Sequence, residues 1–247
     1  MTDVFELSVV VPCYNEALNI SLIIDRFKKV IDVNPETQII LVDNGSTDES
    51  QFVISTLLRE LSENYSGNFK LVHVELNQGY GYGIMMGLMQ AGGKLLSWTH
   101  ADMQTDPLDI IAAYKMYNQE GGHKVLVKGK RKGRALADEF FTWGMQKFCY
   151  AALKISINDI NAQPKLFNRQ FYDDVLNKYA PHDFSLDLYI LYHAKKLGYS
   201  VLEIPVVFSE RKFGKAKGGG SWKTKFKLIK RTIAYILELR VALRNSR

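Results

Sequence analysis

Apolar residues fall into two rhythms that trade places along the first half of the chain. Residues 7–11 form an apolar run that stops at Pro12, as a strand buried on both faces of a sheet does. Ile20, Ile23, Ile24, Phe27, Val30 and Ile31 then recur at the spacing of a helix with one buried face. Further strands are expected at 38–42, 70–76, 94–99 and 125–128. The helices between them would carry Phe52, Val53, Leu57 and Leu58 behind a Ser46/Glu49 capping box, run through Met89, and cover 107–118 with Asp106 as N-cap and Pro107 in the first position. Strands alternating with helices predict a parallel sheet with right-handed crossovers.

After Gly129 the rhythm loosens. A long helix is expected over 136–153, an irregular stretch over 158–168 and shorter helices over 170–178 and 186–196. A strand over 201–208 contains Pro205, which cannot donate to a ladder and so places the strand at a sheet edge. Residues 209–221 read as a mobile Gly/Lys-rich loop. The last helix sets Phe226, Ile229, Ile233, Ile236 and Leu237 on one face and Lys223, Lys227, Lys230 and Arg231 elsewhere.

Composition adds two points. The length of 247 residues allows one sizeable domain with at most a C-terminal appendage, here read as 1–220 followed by a basic amphipathic helix over 221–247. The net charge of +6 is uneven: residues 210–247 hold twelve Lys/Arg and two Asp/Glu, leaving 1–209 at −4. Such a tail suits phosphates, nucleic acid or anionic lipid. Cys13 and Cys149 form no disulfide framework, no apolar run reaches a membrane span, and no signal peptide is visible, so a cytoplasmic setting is expected.

Candidate chemistry gathers where the expected strands end: Asn15-Glu16, Asp43-Asn44 and His100-Asp102-Gln104. Open α/β sheets bind ligands at that edge. If 100–104 is extended, its alternate side chains share a face, and His100, Asp102 and Gln104 converge as nitrogen and oxygen donors for a divalent cation. Asp43 could bond a base or ribose, and Lys130, Arg131 and Arg134 could meet a diphosphate. Plainer readings stand beside these. Asp43-Asn44-Gly45 is a good generic turn, and the run from Lys130 to Arg134 would serve as a solvated face. Gly79, Gly81 and Gly83 fit neither the dinucleotide fingerprint nor the phosphate-loop spacing. His73, His123, His182 and His193 lack ligand spacing and read as surface or structural.

Together these stretches resemble a known family. Val9-Val10-Val11-Pro12-Cys13-Tyr14-Asn15-Glu16, Val42-Asp43-Asn44-Gly45-Ser46-Thr47-Asp48, Asn77-Gln78-Gly79 with Gly83 and Gly87, and Ala101-Asp102-Met103-Gln104 are similar, in order, to motifs of family-2 glycosyltransferases with the Rossmann-like GT-A fold. Within that family the chain looks most like dolichol- or polyprenol-phosphate sugar synthases. Gln163-Pro164-Lys165-Leu166-Phe167, Ser185-Leu186-Asp187-Leu188, Glu203-Ile204-Pro205-Val206 and Arg211 with Gly214 also fall where such enzymes have counterparts.

The resemblance implies a mostly parallel sheet flanked by helices. It implies that Pro12, Tyr14, Glu16, Asn77 and Gly79 line the sugar nucleotide and that Asp43 binds its base. Asp102 with Gln104 would hold Mg²⁺ or Mn²⁺ on the diphosphate, and Arg131 and Arg211 would face diphosphate or acceptor phosphate. His100 stands where the family's metal motif has its first Asp, and Asn44 replaces a frequent second Asp. The activity implied is inverting transfer from a UDP- or GDP-linked sugar, in cell-envelope synthesis. A polyprenol-phosphate acceptor needs no general base, whereas a saccharide hydroxyl needs one, with Asp187 or Asp159 as candidates. The Gln-x-x-Arg-Trp motif and membrane spans of processive synthases are missing from the sequence. A lipid acceptor would call for attachment to the inner membrane face through the tail helix, which could equally dock on its own domain. Two rivals are a nucleotide-sugar binder without turnover and a nucleic-acid binder; the latter lacks an aromatic-interleaved basic platform. Homo-oligomerisation stays open.

Overall fold

Seven strands share one sheet in the computed structural model, which describes residues 5–133, 136–209, 211 and 222–245. The first half alternates as expected: β1 (Leu7–Cys13), α1 (Ile20–Val33), β2 (Thr37–Asn44), α2 (Ser50–Arg59), a short α3 (Glu63–Ser66), β3 (Phe69–Val74), α4 (Tyr80–Met89), β4 (Leu95–Trp98) and α5 (Asp109–Gln119). Then come β5 (Val125–Lys132), α6 (Leu136–Leu153) and β6 (Lys165–Asn168). A helical stretch follows, made of α7 (Arg169–Phe171), a π-helical turn at Tyr172–Leu176 and α8 (Asn177–Tyr179). The chain continues through α9 (Leu186–Lys196), β7 (Ser200–Val207) and α10 (Trp222–Asn245).

The strand order is β3-β2-β1-β4-β6-β5-β7. β3, β2, β1 and β4 run parallel, β7 runs parallel to β5 at the far edge, and β6 lies antiparallel to both β4 and β5. Pro205 does sit on an edge strand. β6 corrects the reading of 158–168 as irregular throughout: its last residues form a strand wedged into the sheet centre.

Two apolar cores lie on opposite faces, and β1 shows the period-two logic. Val9, Val11 and Cys13 join Ile23, Phe27 and Ile31 of α1 on one face, while Val10 joins Ile84 and Leu88 of α4 on the other. Each fully buried side chain of this size contributes roughly 1.5–3 kcal/mol. α10 is tied to the second core, for Ile236 is fully buried there with Tyr235 and Leu239 packed beside it. The domain boundary at 220/221, most of the Gly/Lys-rich loop, Arg134 and Gly214 lie outside the described residues, as do the side chains of Lys223, Phe226, Lys227 and Ile229.

Local details differ from expectation for physical reasons. Ser46 does not cap α2, because its hydroxyl accepts from the Asn15 amide at 3.0 Å. Asp48 takes the role instead, accepting from the Ser50 amide at 3.0 Å. Asp106 caps the turn entered by Pro107, accepting from the Leu108 amide at 3.1 Å, and α5 begins two residues later than expected.

Gly87 lets α4 lie against the sheet, since a Cβ there would stand 2.3 Å from Val10 Cγ1. Gly87→Ala should therefore destabilise the fold by about 1–3 kcal/mol. An unchanged denaturant midpoint would show that the α4–sheet contact is looser than these distances state.

Candidate active site

The site forms where four parallel strands release their loops. After β1, Asn15 adopts φ +54°, a left-handed conformation that its short polar side chain tolerates. Its carboxamide accepts from the Thr47 amide at 2.8 Å and donates to Thr47 Oγ1 at 3.1 Å. The Glu16 amide donates to Ser50 Oγ at 2.9 Å. These bonds clasp the β1 loop to the β2 loop and leave the Glu16 carboxylate at the sheet edge, accepting from Asn19 Nδ2 at 2.6 Å. Pro12 and Tyr14 flank it, each partly exposed.

Asp43, next to last in β2, is fully buried. Its Oδ1 accepts from the Ser46 amide at 3.2 Å, which is the turn-forming role, and its Oδ2 lies 2.9 Å from His73 Nδ1. His73 is the register partner of Asp43 on β3 and its side chain is 41% exposed, so the histidine read as surface or structural is a surface residue that braces Asp43. The pairing order of the strands was the signal, and spacing along the chain could not supply it.

The glycine run after β3 serves packing. Asn77 Oδ1 accepts from the Gly79 amide at 2.9 Å, and the Gly79 carbonyl accepts from Asn44 Nδ2 at 3.0 Å. Gly79 has φ +121°, and a Cβ there would stand 2.4 Å from the His182 carbonyl oxygen. What Gly79 and Gly81 admit is the backbone of the 181–183 segment, and what Gly83 admits is the Asn44 side chain.

The stretch after β4 departs most from expectation. It is bent, with Met103 at φ +59°, so alternate side chains do not share one face. Asp102 Oδ1 accepts from the Gln104 amide at 3.1 Å. The Gln104 side chain instead donates to the Ser209 carbonyl at 3.1 Å. His100 lies beside Tyr80, with ring centroids 6.3 Å apart. Burial lowers the imidazole pKa below its ordinary value, against the opposing pull of Asp102 and Asp187, so the ring is neutral. Asp102 Oδ2 accepts from Arg211 Nη2 at 2.9 Å, and Arg211 Nη1 lies 3.4 Å from Glu16 Oε1.

Three other expected site residues are committed to partners. Arg131 directs Nε and Nη2 at Asp159, with its guanidinium 5.4 Å from the Phe208 ring centre. Burial alone would raise the Asp159 carboxyl, and the Arg131 bonds override it, holding the pKa below the ordinary value. Asp187 is buried, and its Oδ1 accepts from Lys165 Nζ at 2.8 Å and Gln163 Nε2 at 3.0 Å. Gln163 Nε2 also reaches Tyr80 Oη at 3.0 Å, which ties this pair to the wall beside His100. Neither Asp159 nor Asp187 stands as an unengaged base.

No group of three His, Cys, Asp or Glu that could enclose a metal ion occurs among the described residues. One carboxylate beside a neutral imidazole still fits an ion that arrives with its substrate, because Mg²⁺ is commonly held by one or two carboxylates plus substrate phosphates. The residues that could supply such a pair are Asp102 and His100, while the Gln104 side chain is turned to the Ser209 carbonyl.

Comparisons with known proteins agree with this architecture. Glucosyl-3-phosphoglycerate synthase from Mycobacterium tuberculosis, in complex with Mn²⁺, UDP and phosphoglyceric acid, superposes with a TM-score of 0.70 at 18% identity, over 96% of this chain and 78% of that one. The GT-A expectation for the fold is met. An undecaprenyl-phosphate 4-deoxy-4-formamido-L-arabinose transferase from Photorhabdus laumondii is 29% identical over 219 residues, covering 86% of this chain but 62% of that protein. A dolichyl-phosphate beta-glucosyltransferase from Dictyostelium discoideum is 25% identical over 224 residues, covering 84% of this chain and 68% of that one. The family model for glycosyl transferase family 2 matches residues 8–185, and the chain belongs to that family.

Proposed function

We propose that the protein is an inverting glycosyltransferase that moves a sugar from a UDP-linked donor to a polyprenol phosphate. The observation that carries the choice of acceptor is the state of the two base candidates. Asp159 is held by Arg131 and Asp187 by Lys165, which suits an acceptor that needs no proton removed. A lipid phosphate is already ionised at neutral pH, unlike a saccharide hydroxyl. The names of the two curated relatives point the same way, and UDP in the structural neighbour favours it over GDP.

In this reading Glu16 and Asp43, clasped by the two loops, line the nucleotide with Pro12, Tyr14, Asn77 and Gly79. Asp102 and His100 would hold Mg²⁺ or Mn²⁺, and such an ion when bound would supply stabilisation of the negative charge that develops on the diphosphate leaving group. Arg211 stands over the carboxylates, and Arg131 approaches the acceptor side. The acceptor attacks from the opposite face of the sugar.

A lipid acceptor asks for contact with a membrane surface. No helix among the described residues is long and apolar enough to cross a membrane. α10 offers Leu237 and Val241 one turn apart, 45% and 57% exposed, with Lys230 and Arg240 also exposed, while Ile236 anchors the helix to its own domain. Attachment through this strip to the inner membrane face is part of the proposal.

The decisive experiment follows release of nucleoside diphosphate from a panel of sugar nucleotides with Mn²⁺ or Mg²⁺, with and without polyprenol phosphate. Release from a UDP-sugar that requires the lipid is expected; equal release with a soluble saccharide acceptor would reject the lipid assignment. Asp102→Asn should lower turnover by roughly a hundredfold or more with the fold intact, and activity within a few-fold of wild type would remove Asp102 from the mechanism. Asp187→Asn leaves Lys165 as a buried cation without its counter-charge. It should cost about 3–5 kcal/mol of stability while the pH profile of kcat keeps its shape. Loss of a basic limb from that profile would return Asp187 to the role of general base.

A further inference from the structure

Arg211 reaches the site from the segment that follows β7, and Gln104 makes the contact that delivers it. The Gln104 side chain donates to the Ser209 carbonyl at 3.1 Å, and the Ser209 amide donates back to the Gln104 carbonyl at 2.8 Å. Two residues further on, the Arg211 guanidinium spans Asp102 at 2.9 Å and Glu16 at 3.4 Å. The three side chains are 15%, 11% and 7% exposed, so little water screens them.

Resting on the metal-dependent reading above, we propose that Arg211 holds the place of the divalent cation on Asp102 and must leave that carboxylate before the ion binds. Gln104 is the positioning residue that keeps it there. Asp102 Oδ1 is engaged by the Gln104 amide, so Oδ2 is the oxygen through which the carboxylate meets a cation, and Arg211 is on it. A guanidinium and a divalent ion repel at such separations, so each weakens the other's hold on that oxygen. Without a cation, Glu16 and Asp102, delivered by different strands, would face each other as like charges. Arg211 neutralises both, and the ion must displace it from one. A charge-assisted hydrogen bond of this kind corresponds to roughly tenfold in a binding constant. The arrangement also gives Gln104 a role that does not require it to be a ligand.

The test is Mn²⁺ binding to the full chain, measured by calorimetry with and without UDP, for wild type, Arg211→Gln and Gln104→Ala. Without nucleotide, Arg211→Gln should bind Mn²⁺ roughly tenfold more tightly than wild type, since the competing bond is gone. Gln104→Ala should move in the same direction by a smaller factor, which a purely structural role for Gln104 would not produce. Unchanged or weaker Mn²⁺ binding by Arg211→Gln overturns the proposal. If circular dichroism shows that variant unfolded, an unchanged affinity in folded Gln104→Ala overturns it equally. Failure of every protein to bind Mn²⁺, even with UDP, would overturn the metal-dependent reading and this inference together.

Discussion

A lysine with no solvent exposure sits at the centre of the sheet, and much of the second half of the chain is arranged around its charge. Lys165 lies on β6 directly opposite Lys128 on β5, also buried. Like charges facing across a strand pair repel, and each ion moved out of water costs several kcal/mol unless it is paired and bonded. The chain answers with partners from many elements. Asp187 of α9 meets Lys165 at 2.8 Å, with the carbonyls of Ile160 and Ala162 at 2.9 and 3.0 Å. Glu203 of β7 meets Lys128 at 3.2 Å, and burial still lowers the Lys128 pKa to about 8. The loop before β6, the start of α9 and the edge strand are thereby held to one ionic layer. Through Gln163 and Tyr80 that layer also fixes the wall beside His100. Site geometry and charge compensation are here one constraint.

This explains which parts were legible in the sequence. The first five strands announce themselves because burial on one or both faces leaves runs such as 38–42, and the crossover helices because their apolar faces recur at helical spacing. β6 does not. Lys165-Leu166-Phe167-Asn168 is short and begins with a charge, which makes a strand only because Asp187 and two carbonyls arrive from elsewhere. The three strand-end clusters were legible as a crevice, since parallel topology alone brings loops to one edge. The contacts within it were not. Asp43 depends on a register partner, His73, and the bend at Met103 cancels the alternate spacing on which convergence of His100, Asp102 and Gln104 rested. Arg131 and Asp159 each read as active-site groups because a residue list shows charges but not which charges cancel each other.

The remaining question is why an imidazole should stand at position 100, where the family resemblance leads one to expect a carboxylate. In the proposed mechanism an incoming diphosphate, itself strongly anionic, must approach Glu16 and Asp102. At an effective dielectric near 20, two unit charges about 4 Å apart interact by roughly 4 kcal/mol, so every additional carboxylate opposes the substrate until a cation stands between them. Burial lowers the His100 pKa and so favours the neutral ring, which in the proposed mechanism could offer a lone pair without adding to that repulsion. In the proposed mechanism the hold on a bare ion is weak, because Asp102 is the one carboxylate of the proposed donor pair and Arg211 already bonds it, and substrate phosphates would supply the further negative ligands. In the proposed mechanism the ion displaces Arg211 from Asp102, and the sugar nucleotide's phosphates complete its shell, so the ion is held more tightly with the nucleotide than without it.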